Sequence, residues 1–404
     1  MLVGRTVSRS KPSLAGRREA DGSPVVRVAM VITSWNAQNV GGAERQIESL
    51  CPELVRRGVR PVIIGRLRRG VRAHHDSSAE VVHVRVPGIP GIDSVVFVLG
   101  ALRALARLRP DVVHAFSAFS QSTIALLHRR RTGTPFLTKI LRSGPLGDLQ
   151  RLRSKPFGKR RVARLLNEAD GFVVISREVD DELAALGVEP ERRLRIPNGV
   201  DVARFAPTRG DSDGPSIEPV GDGPAVVAVG RLSPEKRMRE LSEHWHLVRA
   251  EHPGATLFIV GTRANKVDPD AVRLAKDPHV VHLGTRDDVE NVYRSSDVYV
   301  SASVAEGLSN ALLEAMATGL PCVVTRTGGV GDVVADGRNG LVVPPDDLPA
   351  LCDGINKLLA DPGLARELGA RARETVSERF SLTRIADELA AEYHRLAVGA
   401  SSLT

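Results

Sequence analysis

From Val25 onward, short β-branched runs alternate with stretches in which apolar residues recur every three or four positions. VVRVAMVI (25–32) is followed by the helical pattern GAERQIESLCPELVRRG (42–58), then by PVIIG (61–65), DVVHAF (111–116), PFLTKI (135–140) and GFVVIS (171–176). A run of Gly, Pro, Ser and Asp, DSDGPSIEPVGDGP (211–224), interrupts the rhythm, and such a run supports no periodic element. The rhythm restarts with AVVAVG (225–230), TLFIVG (256–261), VVHLG (280–284), DVYVSAS (297–303), PCVVT (321–325) and GLVVP (340–344). Helices are expected over 235–251, 348–360, 365–380 and 382–396, with no strand after 344. Strands that alternate with helices predict an α/β fold of parallel sheets covered on both faces, with ligands bound outside the carboxyl ends of the strands.

The expected organisation is a disordered basic tail (1–24), an N-terminal domain (25–205), a linker (206–224), a C-terminal domain (225–381) and a final helix with its tail (382–404). The 404 residues, 42% apolar and 26% charged, suffice for two domains and exclude a largely disordered or fibrous chain. Cys51, Cys322 and Cys352 have no paired spacing, which argues against a disulfide framework or zinc cluster and for a reducing cytoplasm. The longest apolar stretch, 95–102, is far short of the ~20 residues that cross a bilayer, and 1–24 lacks a signal-peptide core.

Charge changes this picture. Residues 1–200 hold 34 Lys and Arg against 18 Asp and Glu, and the remainder holds 22 against 30. Clusters such as Arg66, Arg68, Arg69 and Arg72 suit an anionic partner: nucleic acid, lipid headgroups or a phosphorylated substrate. Fourteen aromatics and an acidic second half weigh against nucleic acid. A peripheral contact with anionic membrane, at the inner face of the cell membrane, remains the expectation.

The candidate chemistry lies mostly in the second half. AVVAVG runs into Gly230, Arg231, Leu232, Ser233, Pro234, Glu235 and Lys236, placing two cations at a strand's carboxyl end, where they can neutralise a diphosphate. In DVYVSASVAEGLSNALLEAMATGLPCVV, a loop carries Glu306, Gly307 and Leu308, and Ser309 caps a helix running from Asn310 to about Thr318. Free amides at that helix start form an anion site. Glu314 then lies about 7.5 Å along the helix from Ser309, so the two carboxylates bracket the phosphates and accept sugar and ribose hydroxyls. Gly41 and Gly42 precede the first helix and allow close backbone approach to a phosphate or sugar, although the GxGxxG spacing is absent there and in TGGVGDV (327–333). His114, near the end of DVVHAF, either reaches the cleft or is a satisfied core histidine. Arg142 and Ser143 follow PFLTKI and meet an anionic group, or form an ordinary turn. His244 and His246 diverge on a helix, and neither a catalytic metal nor a cofactor is expected.

GGAERQ (41–46), DVVHAF (111–116), IPNGVD (196–201), VGRLSPEKR (229–237) and EGLSNALLEAMATGLPCVVT (306–325) together resemble the family-4 retaining glycosyltransferases of GT-B fold. The resemblance extends from Val25 to the last helix. It implies two Rossmann-like domains facing a cleft, with the last helix crossing back to the first. It also implies transfer from a UDP-, GDP- or ADP-sugar to a glycan, lipid-linked or small-molecule acceptor. By resemblance Arg231 and Lys236 hold the diphosphate, Glu314 the ribose and Glu306 the transferred sugar, with the 308–311 amides and Gly42 assisting. Phe116, where the family often has a second histidine, departs from the pattern and bears on His114 as a catalytic residue.

Overall fold

A computed structural model of the chain describes residues 25–36, 41–74, 76, 78–145, 147–207, 217, 222–263 and 267–401. The expected tail 1–24 and most of the linker 206–224 lie outside them. The described residues up to Thr138, with 167–171 and those from Ala386 onward, form one compact unit; 139–166 and 172–385 form the other.

The first sheet contains β1 (Val26–Val31), β2 (Val59–Arg68), β3 (Glu80–Val86), β4 (Val112–Ala115), β5 (Phe136–Ile140), β6 (Gly171–Val174) and β7 (Arg193–Arg195), in the order β3-β2-β1-β4-β5-β6-β7. The second contains β8 (Ala225–Val229), β9 (Thr256–Val260), β10 (Val280–Gly284), β11 (Val298–Ser301), β12 (Cys322–Thr325) and β13 (Leu341–Val343), in the order β10-β9-β8-β11-β12-β13. Pairing is parallel, for example Val28 with Val112 and Val226 with Val298. Both sheets are the doubly wound type the alternation predicts. In each, strand order reverses once, between β1 and β4 and between β8 and β11, and such a reversal opens a crevice at the strands' carboxyl ends.

The second sheet shows why its central strands are largely apolar. Val226, Ala228, Leu257, Ile259, Val298, Val300 and Val323 belong to one buried cluster, whereas Val227, Phe258, Val260, Tyr299, Cys322 and Val324 belong to another. Alternate residues of these strands therefore feed two cores, one on each face of the sheet.

The helices need one correction. The expected helix over 235–251 is a 3-10 turn, Pro234–Lys236, followed by short helices Met238–Glu243 and Trp245–Glu251. Arg237 adopts φ 51°, in the left-handed region, and stops the turn from running on into a helix. Leu348–Ala360 is as expected, while the next two helices are longer, Pro362–Arg379 and Leu382–Ser401. Asp361 caps the first of these at Leu364, and Pro362 occupies its first turn.

Candidate active site

The β8/β11 reversal is where the second unit's candidate residues collect. After β8, Gly230 takes φ 155° and turns the chain, and Pro234 opens the 3-10 turn behind Ser233. The Val304 amide, just past β11, donates to the Glu235 carbonyl at 2.9 Å and ties the two loops together. Across that tie Lys236 Nζ donates to Glu306 Oε1 at 2.5 Å, with both side chains largely buried. A cation and a carboxylate distant in sequence thus stand as one ion pair at the mouth of the crevice. Arg231 is exposed and has no side-chain partner among the described residues, which leaves its guanidinium available to an anion.

The loop between β11 and the next helix is held from several sides. Ser309 is the N-cap of the helix Asn310–Ala317, its hydroxyl accepting from the Leu312 amide at 3.4 Å. Ser309 also hydrogen-bonds the buried Tyr299 phenol; burial, with the Glu306 charge nearby, pushes that phenol above its ordinary range. Glu314 Oε2 accepts from Tyr293 OH at 3.1 Å, which fixes the second carboxylate against a buried ring. At Gly307 a methyl would strike the Leu141 carbonyl, and at Gly328 one would strike the Glu306 carbonyl. Both must be glycine for the loop to be clasped by backbone on two sides. Gly328 in TGGVGDV is therefore a packing glycine of this loop.

A buried relay supports the same loop from below. Lys139, 5% exposed, donates to Asn198 Oδ1 at 2.8 Å. Asn198 Nδ2 donates in turn to the Leu308 carbonyl at 3.0 Å and to Asn310 Oδ1 at 2.9 Å. Burial pushes the Lys139 ammonium down to about 8. Neither residue was singled out from the sequence. The available signal was a lysine in the otherwise apolar strand FLTKI, where an unpaired charge is costly and a partner is to be expected.

Of the remaining candidates, Gly41 and His114 belong to the first unit and Ser143 to the second. Gly41 caps the helix Gly42–Val55, and its amide donates to Glu44 Oε2 at 3.1 Å, so in this structure that amide is bound within the chain. His114 does not present an open imidazole. It is 1% exposed, stacks on Phe116 with ring centroids 4.2 Å apart, and its Nδ1 lies 2.6 Å from Tyr393 OH in the last helix. Phe116 thus covers one ring face. Tyr393→Phe is expected to lower stability by about 1 kcal/mol, read by urea unfolding, because it removes one buried hydrogen bond. Ser143 donates to Glu178 Oε2 at 3.1 Å, on an open cavity of about 610 Å³ also lined by Gln150, Asp181 and Glu182. This wall carries Glu178, Asp181 and Glu182 beside Ser143, and burial pushes the Glu182 carboxyl up.

The ion pair, capped helix start and anchored second carboxylate stand together at a doubly wound switch point, and comparison with known sequences agrees with them. Residues 40–204 match the family described as Glycosyltransferase Family 4, and residues 223–361 match Glycosyl transferases group 1. The chain belongs to the family-4 glycosyltransferases. This glycosyltransferase is 26% identical over 360 residues to the lipopolysaccharide core biosynthesis glycosyltransferase LpsE of Rhizobium meliloti strain 1021, covering 89% of this chain and 97% of that one. Its GT-B fold is shared with the sucrose-phosphate synthase of Thermosynechococcus elongatus (TM-score 0.76, 21% identity, 93% and 100% of the two chains covered). It is shared too with Anabaena HepE solved in complex with UDP-glucose (TM-score 0.73, 19% identity, 91% and 99% covered). The return of the glycosyltransferase's last helix, from Ala386, to the first unit fits the same architecture.

Proposed function

We propose that the enzyme transfers a sugar from a nucleoside-diphosphate sugar to a glycan, lipid-linked or small-molecule acceptor in polysaccharide assembly, with retention at the anomeric carbon and without a catalytic metal. The observation that carries the reading is the Lys236–Glu306 pair at the β8/β11 crevice. Breaking the anomeric bond builds negative charge on the departing diphosphate and positive charge on the sugar. Lys236, Arg231 and the amides at the Asn310 helix start meet the first charge with fixed dipoles and cations, which supply the stabilisation a metal would otherwise give. Glu306 accepts a hydroxyl of the transferred sugar, and Glu314, held by Tyr293, accepts from the ribose. Leaving-group departure and acceptor attack occur on one face of the sugar, the acceptor hydroxyl's proton passing to the departing phosphate oxygen, so configuration is retained with Glu306 orienting the sugar.

The name of LpsE and the UDP-glucose bound by HepE support a nucleotide sugar and a glycan product. The carboxylates around Ser143 accept hydroxyls and favour a hydroxyl-rich acceptor over an anionic one. Among the described residues no helix is long and apolar enough to cross a membrane. The basic first half supports a peripheral contact with anionic lipid at the cytoplasmic face.

Thermal unfolding with UDP, GDP, ADP and their sugars, in excess chelator, tests the donor assignment. One nucleotide series is expected to stabilise the protein, by about 2.7 kcal/mol at a hundredfold excess over Kd. Absence of any shift, or a shift that needs a divalent ion, overturns the reading. Product NMR then reads the anomeric outcome.

A further inference from the structure

Of the eight large apolar side chains exposed among the described residues, four are Ile89, Ile92, Val95 and Leu99. The helix Ile92–Leu108 that carries three of them is apolar on two sides. Phe97, Ala101 and Leu105 are buried in the first unit's core, while Ile92, Val95 and Leu99 are 50–60% exposed on the opposite side. At 100° per residue, Ile92, Val95, Leu99, Arg103 and Arg107 share an arc about 120° wide. A surface helix ordinarily turns polar residues outward, so this face is built to meet something less polar than water.

The charge around it says what. Asp93 accepts from the Gly88 and Ile89 amides at 2.8 and 2.9 Å, and its Oδ2 lies 3.3 Å from Arg68 Nε. That pair pins the end of β2, and with it the exposed Arg69 and Arg72 of the following loop, beside the helix start. At the other end Arg103 and Arg107 are exposed. Arg69, Arg72, Arg103 and Arg107 have no side-chain partner among the described residues, and Asp93, the one acid of the helix, is buried. An apolar stripe with uncompensated arginines at both ends complements a surface that is apolar beneath and negative at its rim.

We infer that Ile89–Arg107 is a monotopic docking face for anionic phospholipid, with Ile92, Val95 and Leu99 entering the headgroup boundary and the flanking arginines pairing with lipid phosphates. The inference rests on the membrane contact proposed above, supplies its surface, and is independent of the donor assignment.

Co-sedimentation of the full chain with vesicles of phosphatidylcholine, alone and mixed with phosphatidylglycerol, tests it at low and high salt. Wild type is expected to bind the mixed vesicles at low salt only. Val95→Asp with Leu99→Asp should lower partitioning by at least about tenfold, since both apolar anchors are replaced by charges of the lipid's own sign. Arg103→Gln with Arg107→Gln should lower it by about fivefold per arginine. Both variants should keep wild-type thermal stability and nucleotide-induced shift, because every changed residue is exposed and on the first unit. The inference is overturned if wild type stays in the supernatant, or if Val95→Asp with Leu99→Asp binds undiminished. It is overturned equally if the wild type self-associates through this face, the aspartate variant is monomeric, and vesicles take up neither. The nucleotide shift is read in the same samples, so failure of the docking face and failure of the donor assignment give different results.

Discussion

Lys236→Ala is expected to lower kcat for sugar transfer by about a hundredfold or more, the loss seen when one fixed group that stabilises a developing negative charge is removed from an active site. The ammonium is largely buried and placed by the 3-10 turn at Pro234–Lys236 and by its bond to Glu306, so no neighbouring chain reorganises to replace it. Glu306→Gln separates the two halves of the pair. It leaves the cation in place and releases it from its carboxylate, so a bound nucleoside diphosphate should be held as tightly or more tightly while transfer falls. If the pair only braces the loops, both variants lower the melting temperature and leave kcat near wild type. Steady-state kinetics with separate kcat and donor KM, alongside melting curves, distinguish these outcomes. Full transfer activity in Lys236→Ala refutes the diphosphate role.

How much of this could be read beforehand followed from where each signal resides along the chain. The strands were legible because each is a short β-branched run buried on two faces, and Lys236, Glu306, Ser309 and Glu314 were legible because they lie in two contiguous stretches beside strand ends. The break at Arg237 was not, since an arginine at positive φ follows from local closure of the turn rather than from residue preference. Lys139 and Asn198 were missed because their meaning is a contact across 59 positions, which no periodicity encodes. The hydrogen-bond partner of His114, Tyr393, lies 279 residues on, a contact that periodicity does not encode either.

The Lys139–Asn198 relay carries the second large effect. The Lys139 ammonium falls from 10.5 to about 8 on burial, so between those values the unfolded chain holds a proton that the folded chain has released. Stability therefore rises with pH across that window and levels off above it, and below about 8 the folded protein bears the full cost of a buried charge. The span corresponds to about 3 kcal/mol. Lys139→Met removes the charge but leaves Asn198 Oδ1 without this donor, at a cost of about 1–3 kcal/mol. The variant should thus stand near wild type at pH 7 and fall behind it by about 3 kcal/mol more at pH 10.5, as read by urea unfolding at both values. A difference that does not change with pH refutes the assignment. Asn198→Ala acts on function instead, since it releases both the Leu308 carbonyl and the Asn310 side chain at the start of the helix proposed to meet the donor phosphates. Donor KM should rise by about tenfold or more through misplaced amides, with the greater part of the loss in nucleotide affinity; an unchanged KM would mean that Gly307 and Gly328 hold the loop without the relay.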